Sequence, residues 1–161
     1  MGPSSPARAK DIAWADSYEQ ALDAAREEEK LIFVAINMDG ERANDRMAKD
    51  VYRDSTIVAL SERTVNLIGS AGERKKKGRC PRFGCESCAA HRDVEQAIRG
   101  NVLGVGGAQG IVSPQHIFLS AKGEVLLSVK YELDVSELEW CFHEAAAIAD
   151  GVAPEDRDHP G

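Results

Sequence analysis

The chain has 161 residues, 43% of them hydrophobic, which suffices for one domain with a buried core. Its 27 acidic against 20 basic residues leave a formal charge of -7, a balance that argues against a nucleic-acid partner, since such affinity rests on neutralising phosphates. No apolar run is long enough to cross a bilayer, and Met1-Gly2-Pro3-Ser4-Ser5-Pro6 holds no apolar signal core, so the expectation is a cytoplasmic protein without a membrane partner: tail 1–10, domain 11–150, tail 151–161.

Ser17 is placed to cap a helix whose positions Tyr18, Ala21, Leu22 and Ala25 recur at helical spacing, running to about Lys30. Leu31-Ile32-Phe33-Val34-Ala35-Ile36 is an unbroken apolar run, the pattern of a central strand covered on both faces. Asn37-Met38-Asp39-Gly40 reads as a turn, and Ala43, Met47, Val51 and Tyr52 mark one face of a second helix. Asp54-Ser55 interrupt it. Ile57-Val58-Ala59-Leu60 is a further short helical stretch, and Thr64-Val65-Asn66-Leu67-Ile68 a second strand.

An insert of about residues 70–92 follows. It opens with the basic run Arg74-Lys75-Lys76-Lys77-Gly78-Arg79, read as a solvated loop, and it holds three of the four cysteines. Asp93 to Ile98 is a third helix. The glycine-rich stretch from Gly100 to Gly110 follows a helix and precedes a strand, the reverse of a phosphate-binding loop. Gln115 to Leu119 and Val125 to Val129, joined at Lys122-Gly123, form a hairpin. The last helix starts near Ser136, capped by Asp134 or Ser136, and turns Leu138, Phe142, Ala145 and Ile148 inward, with Cys141 beside them as a small core residue. This order predicts the α/β class: a mixed sheet with helices on both faces.

Three stretches carry a resemblance to a known family. Trp14 with Ala21 to Arg26 and Lys30 to Val34 is similar to the opening of bacterial thioredoxin-like domains. Arg46-Met47, Val51-Tyr52 and Asp54 resemble the helix that follows that superfamily's redox motif. Val112-Ser113-Pro114-Gln115-His116-Ile117-Phe118-Leu119, closing on Gly123, resembles its cis-proline strand and hairpin. The resemblance covers roughly residues 12–150 and implies a thioredoxin-like fold. The chain departs from the pattern where the chemistry would be. Counted back from Met47, the two positions of Cys-x-x-Cys fall on Glu41 and Asn44, which form no disulfide and supply no thiolate. The resemblance then implies a domain that is redox-inactive at the usual site and uses the Pro114 face to hold a protein or peptide partner, with His116 within reach of that face. A buried, hydrogen-bonded core histidine is the other reading of His116.

The cysteine-rich insert offers its own chemistry. Cys80, Cys85, Cys88 and His91 lie within twelve residues. Three thiols and an imidazole make a tetrahedral zinc set, and a helix starting at Cys88 puts His91 one turn on, along the same face. A closed four-ligand site is structural, with no position open for catalysis. The same residues admit a second reading as a relocated dithiol, Cys85-Glu86-Ser87-Cys88, in a thiol–disulfide oxidoreductase, with Arg79, Arg82 and Arg92 lowering the thiol pKa. A third is three idle thiols in an exposed loop.

Overall fold

The computed structural model describes residues 11–37, 43, 46–70, 88–98, 100 and 114–157, with the side chains of 70 and 88–92 left aside. Helix α1 (Tyr18–Glu28) begins where the Ser17 hydroxyl accepts the Gln20 N–H at 3.1 Å. It stops two residues before Lys30, because Glu29 enters the left-handed region (φ 55) and its N–H returns to the Ala25 carbonyl. Strand β1 (Leu31–Asn37) follows at once, buried from Ile32 onward.

The next helical segment, α2 (Met47–Val51), is wound wide: the Tyr52 N–H reaches back five residues to the Met47 carbonyl at 2.8 Å. Asp54 caps α3 (Ser55–Ser61) through the Thr56 N–H at 2.9 Å, and strand β2 (Thr64–Ser70) comes next. Helix α4 (Cys88–Ala97) begins five residues before the expected Asp93. Strands β3 (Gln115–Leu119) and β4 (Val125–Lys130) form the hairpin, with Gly123 at φ 86 in its turn. Helix α5 (Val135–Ala149) is capped by Asp134 rather than Ser136. Its carboxylate accepts the Glu137 N–H at 2.8 Å while Glu137 accepts the Asp134 N–H at 3.1 Å, so two otherwise orphaned donors are satisfied together.

The sheet order is β2-β1-β3-β4. β1 runs parallel to β2 and antiparallel to β3, and β3 antiparallel to β4. The parallel pair is possible because α2 and α3 supply the crossover between β1 and β2. Alternation along β1 then divides the core. Phe33 and Ala35 face a cluster built with Met47, Tyr52, Ile57, Phe118, Leu138 and Phe142. Ile32, Val34 and Ile36 face Ala21, Ala25, Leu67, Val94, Ile98 and Ile117 on the other side. Helices on both faces explain why β1 reads as an unbroken apolar run.

Two close approaches fix the layers. A Cβ on Gly69 would stand 2.7 Å from Ile36 Cδ1 and 3.2 Å from Glu95 Cα, so α4 lies directly on β2 at that glycine. Trp14 bridges to Asn66 at the β2 edge. The segment after Asp150, read from sequence as a tail, carries a short turn (Pro154–Asp156), and Arg157 Nε lies 3.1 Å from Glu144 Oε1 on α5. No described helix is long and apolar enough to cross a membrane.

Candidate functional site

The register of the sheet gathers three strand ends at one corner. Ile36 pairs with Gln115 and Gln115 with Lys130, so the end of β1, the start of β3 and the end of β4 lie side by side. Pro114 is buried just before β3, and its carbonyl accepts the Tyr131 N–H at 2.7 Å. Tyr131 itself is 67% exposed and adopts φ 75. Beside it, Glu132 takes a two-pronged hydrogen bond from Arg46, Nε to Oε1 and Nη2 to Oε2, each 2.6 Å, which ties the start of α2 to the β4–α5 corner. Those hydrogen bonds hold the Glu132 carboxyl below its ordinary pKa and raise that of Arg46.

Beneath this corner lies a buried polar chain. Asn37, Tyr52 and His116 are all at most 3% exposed. Asn37 Nδ2 donates to Tyr52 Oη at 3.5 Å, the long limit of a hydrogen bond, and Tyr52 Oη lies 2.7 Å from His116 Nε2. One proton lies between Tyr52 Oη and His116 Nε2, and the histidine tautomer sets which of the two donates it. Asn37 Oδ1 and His116 Nδ1 have no partner among the described residues. Aromatic rings wall the chain in: Phe33 stacks on His116 at 6.0 Å and 6°, and Trp14 meets Tyr52 edge-on at 5.9 Å. The small Ala35, opposite His116 in the ladder, lies on the same side. Burial without a charged partner drives the His116 pKa from 6.5 down to about 3, so the ring is neutral at physiological pH.

Similar solved structures exist along nearly the whole chain. A DsbH oxidoreductase matches with TM-score 0.61 at 14% identity, over 91% of this chain and 92% of that one. A thioredoxin from Thermus thermophilus matches with TM-score 0.59 at 16% identity, over 92% and 98%. The fold is thioredoxin-like. A putative disulphide-isomerase from Bacteroides thetaiotaomicron matches with TM-score 0.54 at 23% identity, over 91% and 100%. No family model matches the chain, and no curated protein matches it in sequence. At these identities the likeness speaks for the fold alone.

Within the thioredoxin-like domain, the residues singled out from sequence fall in three places. Pro114 and His116 share the corner, both buried, and His116 has the hydrogen-bonded core setting. Cys80, Cys85, Glu41 and Asn44 lie outside the described residues, as do the basic run 74–79 and the glycine-rich stretch 101–110. Cys88 is the first residue of α4 and His91 stands three residues on, so the backbone sets both on one face of its first turn. Among the described residues no group of three or more His, Cys, Asp or Glu is arranged to hold a metal. Cys141 is 1% exposed in the core, and His143 lies on the outer side of α5, 3.9 Å from Glu139.

Sequence reasoning missed the part that four residues play at the corner. Helical spacing marks Tyr52 as a core-facing residue, and nothing in it shows that the hydroxyl meets a strand residue 64 positions on. The Arg46–Glu132 pair spans 86 positions, and Tyr131 is conspicuous only through its backbone angle and exposure. A separate cleft of about 520 Å³, lined among others by Asp11, Trp14, Gln20, Glu28, Glu62 and Asn66, meets this corner only at Trp14.

Proposed function

We propose that this thioredoxin-like domain is a binding module: it holds an extended segment of a protein partner against the Pro114–Tyr131 corner and carries a structural zinc ion on Cys80, Cys85, Cys88 and His91. One observation carries the reading. The sequence has no cysteine before Cys80, so no thiol stands at the end of β1 or at the start of α2, where disulfide chemistry on this fold needs a thiolate at a helix start. What lies beneath that place is the buried Asn37–Tyr52–His116 chain. Pro114 and His116 shape the floor of the peptide site in this reading, and Tyr131 its rim.

The start of α4 at Cys88 supports the metal assignment, since it supplies the helical turn that brings Cys88 and His91 to one face. A zinc ion closed by four ligands lowers the free energy of the folded insert and performs no catalysis. A reducing, cytoplasmic setting suits the thiolate ligands. The same helix start also favours the second reading, a thiol–disulfide oxidoreductase in which Cys85 is the attacking thiolate and Cys88 resolves the mixed disulfide.

Elemental analysis of the whole chain, paired with dithiothreitol-driven insulin reduction by the wild type and a Cys85→Ser/Cys88→Ser variant, separates the two. About one zinc per chain, the thiols of Cys80, Cys85 and Cys88 released only by chelator, and no acceleration of insulin reduction are expected. Metal-free protein that accelerates the reduction, with the double variant inert, overturns the binding-module reading in favour of the enzyme.

A further inference from the structure

We propose that Tyr131 is an aromatic anchor that takes an arginine or lysine side chain of the extended peptide held at the Pro114 corner, an inference that rests on the reading of that corner given above. The starting point is a backbone angle. Tyr131 and Glu29 are the two non-glycine residues with positive φ among those described. Glu29 has a plain reason, since it ends α1. Tyr131 closes no helix. At φ 75 its Cβ meets the crowding that makes this region costly for L residues and free for glycine.

Burial does not offset that cost, because the ring is 67% exposed, more than any other large apolar side chain described. The angle is imposed from both sides. The Tyr131 N–H is held by the Pro114 carbonyl at 2.7 Å, Glu132 is held by Arg46, and Leu133, 8% exposed, is already in the core. The effect is to hold a tyrosine ring out into solvent from a rigid turn next to Pro114. Strain retained at an exposed position is the mark of a residue kept for contact rather than for stability.

The occupant follows from charge and geometry. Around the turn stand Glu132, Asp134 and Glu137, with Asp50 near Arg46, against Lys130 and an Arg46 already paired to Glu132. The chain as a whole carries -7. An electron-rich ring face in an acidic surround attracts a cation and repels an acidic segment. Tyr131 also directly follows β4, which is an edge strand of the described sheet. An extended peptide passing there puts alternate side chains on one face, one of which meets the ring.

The test selects random short peptides on the whole chain, then measures the enriched ones, fluorescein-labelled, against the wild type, Tyr131→Phe and Tyr131→Gly. Peptides with Arg or Lys at a recurrent position are expected, with amide NMR shifts centred on Gln115, Lys130 and Tyr131. Tyr131→Phe should bind as the wild type does and Tyr131→Gly about tenfold more weakly, a loss of one cation–π contact. Replacing the basic residue of the peptide by alanine should matter for the wild type and not for Tyr131→Gly. The glycine variant should also melt about 2–4 °C higher, since it relieves the strain; a residue held for structure would lower the melting point instead. Peptides that shift the same amides but bind Tyr131→Gly as tightly as the wild type sink the anchor and leave the peptide site standing. No selected peptide, or shifts confined elsewhere, sinks the peptide site and the anchor with it.

Discussion

Tyr52 Oη lies 2.7 Å from His116 Nε2, and this contact joins the wide-wound turn after β1 to the central strand β3 across the middle of the aromatic cluster. Both side chains are buried, and the ring of His116 has no other polar partner among the described residues. Removing the hydroxyl therefore strands a buried imidazole. Tyr52→Phe should cost about 1–3 kcal/mol, the penalty for an unsatisfied buried polar group, rather than the smaller value of an average hydrogen bond. Urea unfolding of the two proteins with equal m-values checks this; an unchanged midpoint would show that the pair contributes nothing.

The same histidine sets an acid limit. Its pKa is about 3 in the folded protein against 6.5 in the unfolded chain, because burial disfavours the charged ring. Between those values the unfolded chain holds a proton that the folded one refuses. Stability from this residue is thus complete above about pH 6.5 and is lost as pH falls towards 3, at up to about 1.4 kcal/mol per pH unit. His116→Asn cannot titrate in this range, so its urea midpoint should decline less steeply between pH 7 and pH 4. Parallel declines in the two proteins would exclude the histidine as the source.

Gly69 is a packing glycine rather than a turn glycine. A methyl group there meets Ile36 Cδ1 at 2.7 Å and the Glu95 backbone at 3.2 Å. The isoleucine methyl can move, but the helix backbone moves only if α4 as a whole lifts from β2. Gly69→Ala should destabilise by about 1–3 kcal/mol, the usual range for overpacking, read as a lower thermal midpoint.

Thiol chemistry distinguishes one cysteine from the rest. Cys141 is in the core, and burial first, then the Glu137 and Glu144 carboxylates, push its pKa up to about 12. A native-state titration with a disulfide reagent should leave this thiol unmodified, and it should react at the rate of unfolding. Prompt modification of all four cysteines would contradict its placement. Cys141→Ala should remove the slow phase alone.

Much of the fold is legible in the chain because local patterns carry it. The run from Leu31 to Ile36 is apolar on every residue, and the structure shows why: Phe33 and Ala35 serve one layer, and Ile32, Val34 and Ile36 the other. The start of α4 was not legible at Asp93, since the periodic apolar residues Val94 and Ile98 begin late while the helix begins at Cys88. The choice between Asp134 and Ser136 as a cap was decided by the reciprocal bonds with Glu137, a short-range pattern present in the sequence.

The sequence by itself determined the class of fold, the order of its elements and the lack of a thiol before Cys80, because periodicity, turn residues and composition are properties of neighbours along the chain. Only the tertiary structure decided the corner at Pro114. Tyr52 and His116 lie 64 residues apart, and Arg46 and Glu132 lie 86 apart. The angle that exposes Tyr131 comes from a hydrogen bond to Pro114 and a salt bridge one residue on, not from any preference of tyrosine. Such relationships arise when β3 enters between β1 and β4 and brings distant segments to one end of the sheet, and no local pattern records them.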